Sequence, residues 1–595
     1  MSAGEARQPN FALLLGLAWL VIVAQLLIQH WSGTADTLYD TDDALRLVQM
    51  RSFLAGQGWF DLHESRLGPP LGYDSHWSRL IDAGLAGLFL LFHQFTDTTL
   101  AERLTRVVWP MLWLLPAMIG AVAITWRLAG RNGALVGLLL IVVGMPAFQQ
   151  FVPGRIDHHN VQIAFSVLAV AAAAWLDRVR WAAYAAGGLT GIAMAIGLEC
   201  LPFLALSGAA FVLRYVFDRS GAAPLAAYGL ALAASALIAF FIGVNPAHWG
   251  RSVCDAIAIN WIAPVTVAGL LSAFIGSKFD GERMIVRGAA AAVIGSAAAM
   301  IFVLIEPRCL GGPYAMMDPA LRAIWFSYVS EMQPLAVITR NSPPMGAAIA
   351  AFPSFGLIAA LMLARERDVR SDPAFLLATA ALLVASAMML AAAKICFYAL
   401  WFGMPLVAAA ALRIFDWLKL PSVAARAFVA ILLTPSVMSA TAMAIAQVSV
   451  HAPVEQKDVR VLGGCFKTDN YTQLARLPRG IIAADIDYGS FILALTPHSV
   501  LAAPYHRLSA SIIAARDIFA LPPVEAHRIV DRIGVAYIVT CGEYPLVAVS
   551  EAERSASVWG KLKTGEIPDW LELMPREPGQ VFAAYRVVRT AISHK

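Results

Sequence analysis

The sequence is poor in charged residues, which occupy only 14% of its 595 positions. A soluble domain carries about 25% charged residues. Here apolar residues reach 59% and the mean hydropathy is +0.67. The formal charge is only +4, and its basic residues lie between hydrophobic runs, which argues against nucleic-acid binding. This composition excludes a soluble enzyme and a disordered protein, and it predicts a polytopic membrane protein.

Cysteine is also scarce. Six cysteines are scattered along the chain without a C-x-x-C pair, so they do not indicate a metal site. Cys465 and Cys541 both fall in the tail that follows residue 449. They could form a disulfide if that tail faces an oxidising compartment, and two free buried thiols are the alternative.

Long hydrophobic runs are abundant. Thirteen of them are long enough to predict membrane spans: 11–28, 107–126, 133–149, 161–176, 181–198, 200–217, 224–244, 257–276, 286–305, 346–363, 374–393, 396–412 and 423–446. The first predicts a signal anchor because no small-x-small cleavage site follows it. A shorter run at 84–95 predicts a helix lying in the membrane interface.

Charge placement sets the predicted topology. With the N-terminus in the cytoplasm and 84–95 in the interface, every inner loop is basic. These loops carry Arg127 and Arg131, Arg178 and Arg180, Arg214 and Arg219, Lys278, Arg283 and Arg287, Arg365, Arg367 and Arg370, and Arg413, Lys419 and Arg426. We therefore expect the C-terminal tail to lie outside.

This topology predicts two domains, a transmembrane domain over 1–449 and an outer domain over 450–595. The transmembrane domain has long or polar outer segments at 30–106, 150–160 and 306–345. The tail has a soluble composition in which strand-like runs alternate with helical patterns, which predicts a small α/β domain. The strand-like runs are Gly480–Asp485, Ser499–Ala503, Val535–Thr540 and Val581–Val588, and the helical ones include Ser509–Ala520 and Pro523–Ile533.

The first outer segment contains three carboxylates within four residues, Asp40, Asp42 and Asp43. Such a cluster repels itself unless a cation or a basic side chain neutralises it, and carboxylate oxygens suit Mg²⁺ or Mn²⁺. A solvated acidic cap on a helix N-terminus is the alternative.

The other two outer segments also carry polar candidates. Asp157 is followed by two histidines, a set that could bind a metal, although Asp157 could instead cap the next span. Glu331 lies in a 40-residue connection, and connections of that length are often functional. Lys394 lies at the outer end of a span, where it could hold a phosphate or extend to water.

The order and topology of these features resemble the catalytic subunit of oligosaccharyltransferase and its single-subunit relatives, which are GT-C membrane glycosyltransferases. That family has thirteen spans and an outer C-terminal domain. Its first loop carries an aromatic-Asp pair followed six residues later by Arg, as in Tyr39-Asp40 and Arg46. Its second loop has an acidic metal site, matched by Asp157. Its late loop has a Ser-Val-Ser-Glu-x-Gln-Pro-like stretch, matched by Tyr328-Val329-Ser330-Glu331-Met332-Gln333-Pro334.

The resemblance implies a divalent cation, Mg²⁺ or Mn²⁺, held by Asp40, Asp157 and Glu331. It also implies that Lys394, with Arg46 in a secondary role, contacts the phosphate of a polyprenyl-linked donor. Arg46 is also expected to balance the acidic cluster. Asp40 or Asp42 would then act on the acceptor as the catalytic carboxylate.

One departure concerns the acceptor. The family's outer domain carries Trp-Trp-Asp-Tyr-Gly, which reads the acceptor sequon, whereas this chain has Asp485-Ile486-Asp487-Tyr488-Gly489. Asp487 and Tyr488 are kept as possible acceptor-side residues, but both tryptophans are missing. The acceptor could therefore be a protein, a glycan or a lipid.

The function expected from these features is transfer of a sugar from a polyprenyl-phosphate or polyprenyl-pyrophosphate donor on the outer face of a bacterial inner membrane. In that orientation the C-terminal domain is periplasmic. Membrane lipids and the acceptor are the expected partners, and no nucleic acid is involved. A lipid-linked-glycan transporter or a polymerase partner without transferase activity is the alternative.

Overall fold

The computed structural model describes residues 10–449, 464–542 and 550–588. Most of the first range is helical. The helices are α1 (Phe11–His30), α2 (Gly33–Asp36), α3 (Thr41–Leu54), α4 (Arg79–His93), α5 (Thr98–Val142), α6 (His159–Ala174), α7 (Ala182–Ile196), α8 (Leu201–Phe217), α9 (Ala222–Gly243), α10 (Ile259–Lys278), α11 (Met284–Ile305), α12 (Pro319–Tyr328), α13 (Leu335–Asn341), α14 (Pro343–Leu363), α15 (Arg367–Arg370), α16 (Pro373–Ala391), α17 (Cys396–Trp417), α18 (Val423–Leu432) and α19 (Pro435–Ser449). Short 3-10 helices connect them at Met145–Phe148, Arg219–Gly221, Pro246–His248, Pro307–Gly311, Ser330–Met332 and Ala393–Ile395.

The apolar helices confirm a polytopic membrane protein. Among the described residues, eight helices have the length and hydropathy of a membrane span, and the bent pair α18 and α19 makes a ninth. The remaining predicted runs lie in the shorter helices α6, α7 and α8 and in the second part of α5. The count of thirteen crossings stays a prediction, because the 16 residues of α6 reach only about 24 Å at 1.5 Å per residue.

Two predicted boundaries differ from the structure. The runs 107–126 and 133–149 belong to α5, which bends at Gly130, where φ is +62°. Glycine adopts that backbone conformation without the steric penalty of a side chain, so the predicted inner loop is reduced to a sharp bend. The last run, 423–446, is split between α18 and α19, whose axes differ by 51°.

The tail contains the predicted α/β domain. Its strands are β3 (Ile481–Ala483), β4 (Ser499–Val500), β5 (Val535–Thr540), β6 (Leu571–Leu573) and β7 (Ala583–Val587), after a small hairpin of β1 (His63–Glu64) and β2 (Tyr73–Asp74) in the first outer segment. The sheet order is β4-β3-β5-β7-β6, with β3 parallel to both β4 and β5 and the other pairs antiparallel. Helices cover Thr472–Ala475, Ile486–Leu495, Ser509–Ala520, Pro523–Ile533, Glu551–Ala556 and Val558–Thr564, with 3-10 helices at Thr468–Tyr471 and His506–Leu508. The predicted start of this domain, at 450, lies outside the described residues.

The tail packs directly on the first outer segment. Buried side chains of α3 and α4 share one apolar core with the helix Ile486–Leu495 and the sheet. Within the tail, Gly489 lets the helix Ile486–Leu495 approach the chain at Ala502, because a Cβ there would lie 2.1 Å from the carbonyl oxygen of Ala502. The hydroxyl of Tyr505 donates to the carbonyl oxygen of Thr41 at 2.8 Å, directly beside the acidic run.

Two disulfides join segments that lie on the predicted outer side. Cys465 and Cys541 form a disulfide, the first of the two alternatives that the sequence left open, and Cys254–Cys309 joins two connections that sequence analysis had not paired. The other two cysteines, which lie in predicted spans, are free and buried. The oxidised cysteines therefore all fall on the predicted outer side.

Candidate active site

The acidic run of the first outer segment forms the start of α3. Asp40 is the N-cap residue, and its carboxylate accepts hydrogen bonds from the backbone N–H groups of Asp42 at 3.0 Å and Asp43 at 3.1 Å. The helix-cap interpretation is therefore correct for Asp40. The Asp42 side chain takes no part in this cap.

Arg155 joins the acidic run to the second outer segment. Its guanidinium, whose side chain is only 3% exposed, pairs with Asp40, with Asp43 at 3.1 Å and with Asp157 at 2.9 Å. Asp43 also accepts the backbone N–H groups of Ile156 at 2.6 Å and Asp157 at 3.0 Å. Two segments more than a hundred residues apart are thereby held as one unit.

Asp42, Asp157 and His159 form what we call the inner cluster. One potential ligand atom of each lies within 4.8 Å of the others. Asp157 is fully buried and Asp42 is partly buried. Asp40 is not a member of this group, and its carboxylate is engaged by Arg155 and by the helix cap. The geometry therefore favours Asp42 and His159, in place of Asp40, as the partners of Asp157.

The pKa values of the two carboxyl groups in the inner cluster are shifted in opposite directions. Burial, together with the negative charges of Asp157 and Glu331, raises the pKa of Asp42 well above its ordinary value. Burial alone would also raise the pKa of Asp157, but the Arg155 guanidinium beside it holds that pKa below the usual range. Negative charge is thus in excess around Asp42, and a bound cation would relieve it.

Lys394 lies next to this cluster. It occupies the 3-10 turn between α16 and α17 and forms an ion pair with Glu199, in the connection between α7 and α8. A carboxylate oxygen of Glu199 also lies 3.4 Å from Nδ1 of His159. Lys394 is therefore held by a carboxylate that also faces the inner cluster, and its side chain is only 13% exposed instead of extending to water.

Glu331 approaches the same region from the third outer segment. It lies in the turn Ser330–Met332, and the carbonyl oxygen of Gln333 accepts the N–H of Ala393, the residue before Lys394, at 3.0 Å. Its charge acts on Asp42. The structure thus brings the third segment to the site, although Glu331 is not among the residues whose ligand atoms lie within 4.8 Å of one another.

Arg46 forms its ion pair outside the acidic run, contrary to expectation. Its fully buried side chain pairs with Asp82 of α4 at 2.7 Å, and its guanidinium lies 4.6 Å from the centre of the Trp77 ring. The expectation that Arg46 balances the acidic run is wrong, because Arg155 has that position. Its contact with a donor phosphate stays a prediction.

The two acceptor-side candidates lie at the start of the helix Ile486–Leu495. Asp485 caps this helix by accepting the N–H of Asp487 at 3.0 Å. The Tyr488 side chain is buried in the tail, and its hydroxyl donates to the carbonyl oxygen of Cys541 at 3.0 Å. Tyr488 is thus a core residue of the tail, while an acceptor contact of Asp487 stays a prediction.

A cleft of about 470 Å³ opens beside the inner cluster. Its lining comes from the first outer segment, the start of α6, the end of α7, the α9–α10 connection and the tail. The polar and aromatic residues of this lining include His76, Trp77, His158, Glu199, His248, Asp255, His506 and Arg507. Its volume lies within the range of about 300–1,000 Å³ that is typical of small-molecule sites.

Sequence reasoning missed the bridging role of Arg155 and overlooked Glu199. Glu199 is an ionisable residue at the outer end of a predicted span, so the criterion that selected Lys394 would also have selected it. His159 follows Asp157 by two residues, and the structure places both in one cluster. For Arg155 the sequence holds no signal, because its partners come from a distant segment.

Comparison with solved structures shows the fold of the oligosaccharyltransferase from Archaeoglobus fulgidus. The complex of AglB with an inhibitory peptide and a dolichol-phosphate matches with a TM-score of 0.68 and 14% identity, over 94% of this chain and 78% of that one. The form tethered to an acceptor peptide with an NVT sequon has a TM-score of 0.63 at 14% identity, over 94% and 78% of the two chains. The complex with Zn and sulfate has a TM-score of 0.58 at 15% identity, over 96% and 73%.

No protein-family model matches the sequence, and neither does any curated protein. The similarity to known proteins therefore lies in the three-dimensional fold. The expected oligosaccharyltransferase-like GT-C architecture is confirmed at the level of fold.

Proposed function

We propose that this protein is an integral-membrane glycosyltransferase that moves a sugar or an oligosaccharide from a polyprenyl-phosphate or polyprenyl-pyrophosphate donor to an acceptor on the outer face of the membrane. The observation that carries the proposal is the meeting of separate outer segments around Asp42, Asp157 and His159, with Lys394 beside them. The dolichol-phosphate bound to the Archaeoglobus fulgidus protein of the same fold supports a lipid-phosphate donor.

The inner cluster fits a divalent cation. It offers two carboxylates and one imidazole within 4.8 Å, and burial, together with the negative charges of Asp157 and Glu331, raises the pKa of Asp42. Because one ligand is an imidazole, Mn²⁺ matches this set better than Mg²⁺. When bound, such an ion supplies Lewis acidity at the donor phosphate.

Lys394 is the second group that would stabilise negative charge at the donor phosphate. Cleavage of the sugar–phosphate bond leaves negative charge on a phosphate oxygen, and a fixed ammonium group in a poorly solvated site stabilises that charge. Glu199 forms an ion pair with Lys394 and faces His159 with the same carboxylate. Of the two carboxylates first considered catalytic, Asp42 is better supported, because Asp40 is engaged by its cap and by Arg155.

The placement that we propose is a bacterial inner membrane with the tail in the periplasm. The basic inner loops support this orientation. The two disulfides also support it, since all four cysteines lie on the predicted outer side and structural disulfides persist in oxidising compartments.

The test is transfer of radiolabelled sugar from a lipid-linked fraction of the source cells by the purified full-length protein. We expect transfer that a chelator abolishes and Mn²⁺ restores. A transporter or polymerase partner would bind or move the lipid without cleaving the sugar–phosphate bond, and intact donor in the presence of Mn²⁺ would reject the proposal. Glycan profiling of a deletion strain identifies the acceptor as the protein, glycan or lipid pool that loses a sugar.

A further inference from the structure

A second histidine–carboxylate group lies in the same cleft. His76, Asp255 and His506, which we call the rim cluster, each offer a ligand atom within 4.8 Å of the others. The centre of the Trp77 ring lies 6.0 Å from that of His76 and 5.7 Å from that of His158, the residue before His159, and the two clusters share no residue. The rim cluster is thus distinct from the inner cluster.

The three residues come from three parts of the chain. His76 follows β2 in the first outer segment, Asp255 lies in the α9–α10 connection, and His506 belongs to the tail. The neighbouring disulfide Cys254–Cys309 anchors the segment that carries Asp255. A ligand shared by these three residues would connect the tail to both segments.

Groups around the rim cluster orient its potential ligands. Arg507 donates to one carboxylate oxygen of Asp255 from Nη2 at 2.8 Å, and the other oxygen lies 2.7 Å from Nε2 of His506. That second oxygen also accepts Nε of Arg507 at 2.8 Å. The hydroxyl of Tyr73 lies 3.4 Å from Nδ1 of His76, which leaves Nε2 of that imidazole as the ligand atom. Outer hydrogen bonds of this kind are typical of metal ligands.

An aromatic wall covers one side of the cluster. The ring centres of Tyr314 and Trp325 lie 5.1 Å and 6.0 Å from that of His506. Apolar surroundings limit the access of water and strengthen electrostatic contacts inside. All three residues of the rim cluster line the cleft, which leaves room for a fourth ligand such as water.

We propose that His76, Asp255 and His506 bind a zinc-class divalent cation that links the tail to the rim of the cleft. Two imidazoles and one carboxylate match the three-ligand zinc sites that keep one open position. Imidazole ligands exclude Mg²⁺ and Ca²⁺ as the preferred occupants. The competing arrangement is a metal-free network in which Asp255 binds only His506 and Arg507.

The test measures metal content, which does not depend on transferase activity. Full-length protein carrying Asp157→Asn, which lacks one ligand of the inner cluster, is loaded with Zn²⁺, dialysed and analysed by mass spectrometry for zinc per chain. We expect one zinc per chain, lost with His76→Gln or His506→Gln in the same background. His248→Gln, an exposed histidine that lines the same cleft, is the matched control and retains the zinc.

Two further readouts keep the test decisive. Zn²⁺ should raise the Tm of the Asp157→Asn protein and leave the Tm of its His76→Gln and His506→Gln derivatives unchanged. Co²⁺ in place of Zn²⁺ should give the visible absorption of a tetrahedral site, absent from both derivatives. A parent that binds no zinc, or zinc that is retained in both folded derivatives, would overturn the proposal.

Discussion

Two helices of this protein begin with the same local pattern. Asp40 caps α3 by accepting the N–H of Asp42 at 3.0 Å, and Asp485 caps the helix Ile486–Leu495 by accepting the N–H of Asp487 at 3.0 Å. In both cases the first aspartate of an Asp-x-Asp sequence starts the helix. The local chemistry of the two sites is thus nearly identical.

What differs is the environment of the second aspartate. Asp42 faces Asp157 and His159, which Arg155 and the backbone of the second outer segment hold in place. Asp487 lies at a helix start in the tail. The next residue, Tyr488, is buried, and its hydroxyl donates a hydrogen bond to the carbonyl oxygen of Cys541. The comparison shows that an acidic helix start becomes a candidate metal site only where a distant segment supplies further ligands.

The largest expected effect is a difference in the rate of sugar transfer between variants of Asp42 and of Asp487. Asp42→Asn should lower the rate of sugar transfer by at least about 100-fold, or about 2.7 kcal/mol, because the inner cluster loses a charged ligand. Asp487→Asn should change it by less than about threefold, since its helix start lies outside that cluster. Initial rates at saturating Mn²⁺ measure both. A comparable loss in Asp487→Asn would instead support the acceptor-side role of that residue.

The pairing of Lys394 with Glu199 predicts an effect on donor binding. Lys394→Met should raise the KM for the lipid-linked donor by about 10–100-fold, since a hydrogen bond to a charged group contributes about 1.5–3 kcal/mol. Glu199→Gln should leave that KM unchanged or lower it, because it frees the ammonium for phosphate. Steady-state kinetics with the same donor fraction separate the two variants. An equal rise in KM for both would indicate that Glu199 only positions Lys394.

The pH dependence of cation binding follows from the raised pKa of Asp42. Below that pKa a cation must displace a proton, so the Mn²⁺ affinity should fall as the pH falls, by about tenfold per pH unit. Above it the affinity should level off. Titration calorimetry in two buffers of different ionisation enthalpy measures the released proton. An affinity independent of pH would contradict the assignment of Asp42 as a ligand.

The smallest effects concern the caps themselves. Asp485→Ala should reduce the free energy of unfolding by about 1 kcal/mol, the usual contribution of an N-cap side chain. Asp40→Ala should cost more, because it also removes a partner of the buried Arg155. Thermal unfolding of the purified proteins compares the two. Equal losses would mean that the Arg155–Asp40 contact adds nothing to stability.

Much of the architecture was accessible from the sequence. Apolar run length predicted the membrane helices, and alternation with turn residues predicted four strands of the tail. The pairing of Cys465 with Cys541 was one of two open alternatives, and the structure decided it. The strand Leu571–Leu573 was not among the predicted strands.

The candidate site was predicted only in outline. The resemblance implied that the three outer segments converge, but it gave Asp40 as the metal ligand, with Asp42 as an alternative only for the catalytic carboxylate. At a helix start the side chain of the cap residue accepts the N–H groups of the first turn, and Asp42, not Asp40, lies with Asp157 and His159. Arg155 could not be ranked without Asp40 and Asp43, which lie more than a hundred residues away, whereas Glu199 could have been selected by the criterion that selected Lys394.

By itself, the sequence determined the membrane class and the acidic starts of two helices, because these properties depend on hydropathy and on local hydrogen bonds, and it predicted the orientation of the loops from their charge. The tertiary structure alone decided which carboxylates share a site, that Arg155 and not Arg46 neutralises the acidic run, and that His76, Asp255 and His506 meet. Such decisions depend on distances between segments remote in the chain, and packing sets those distances.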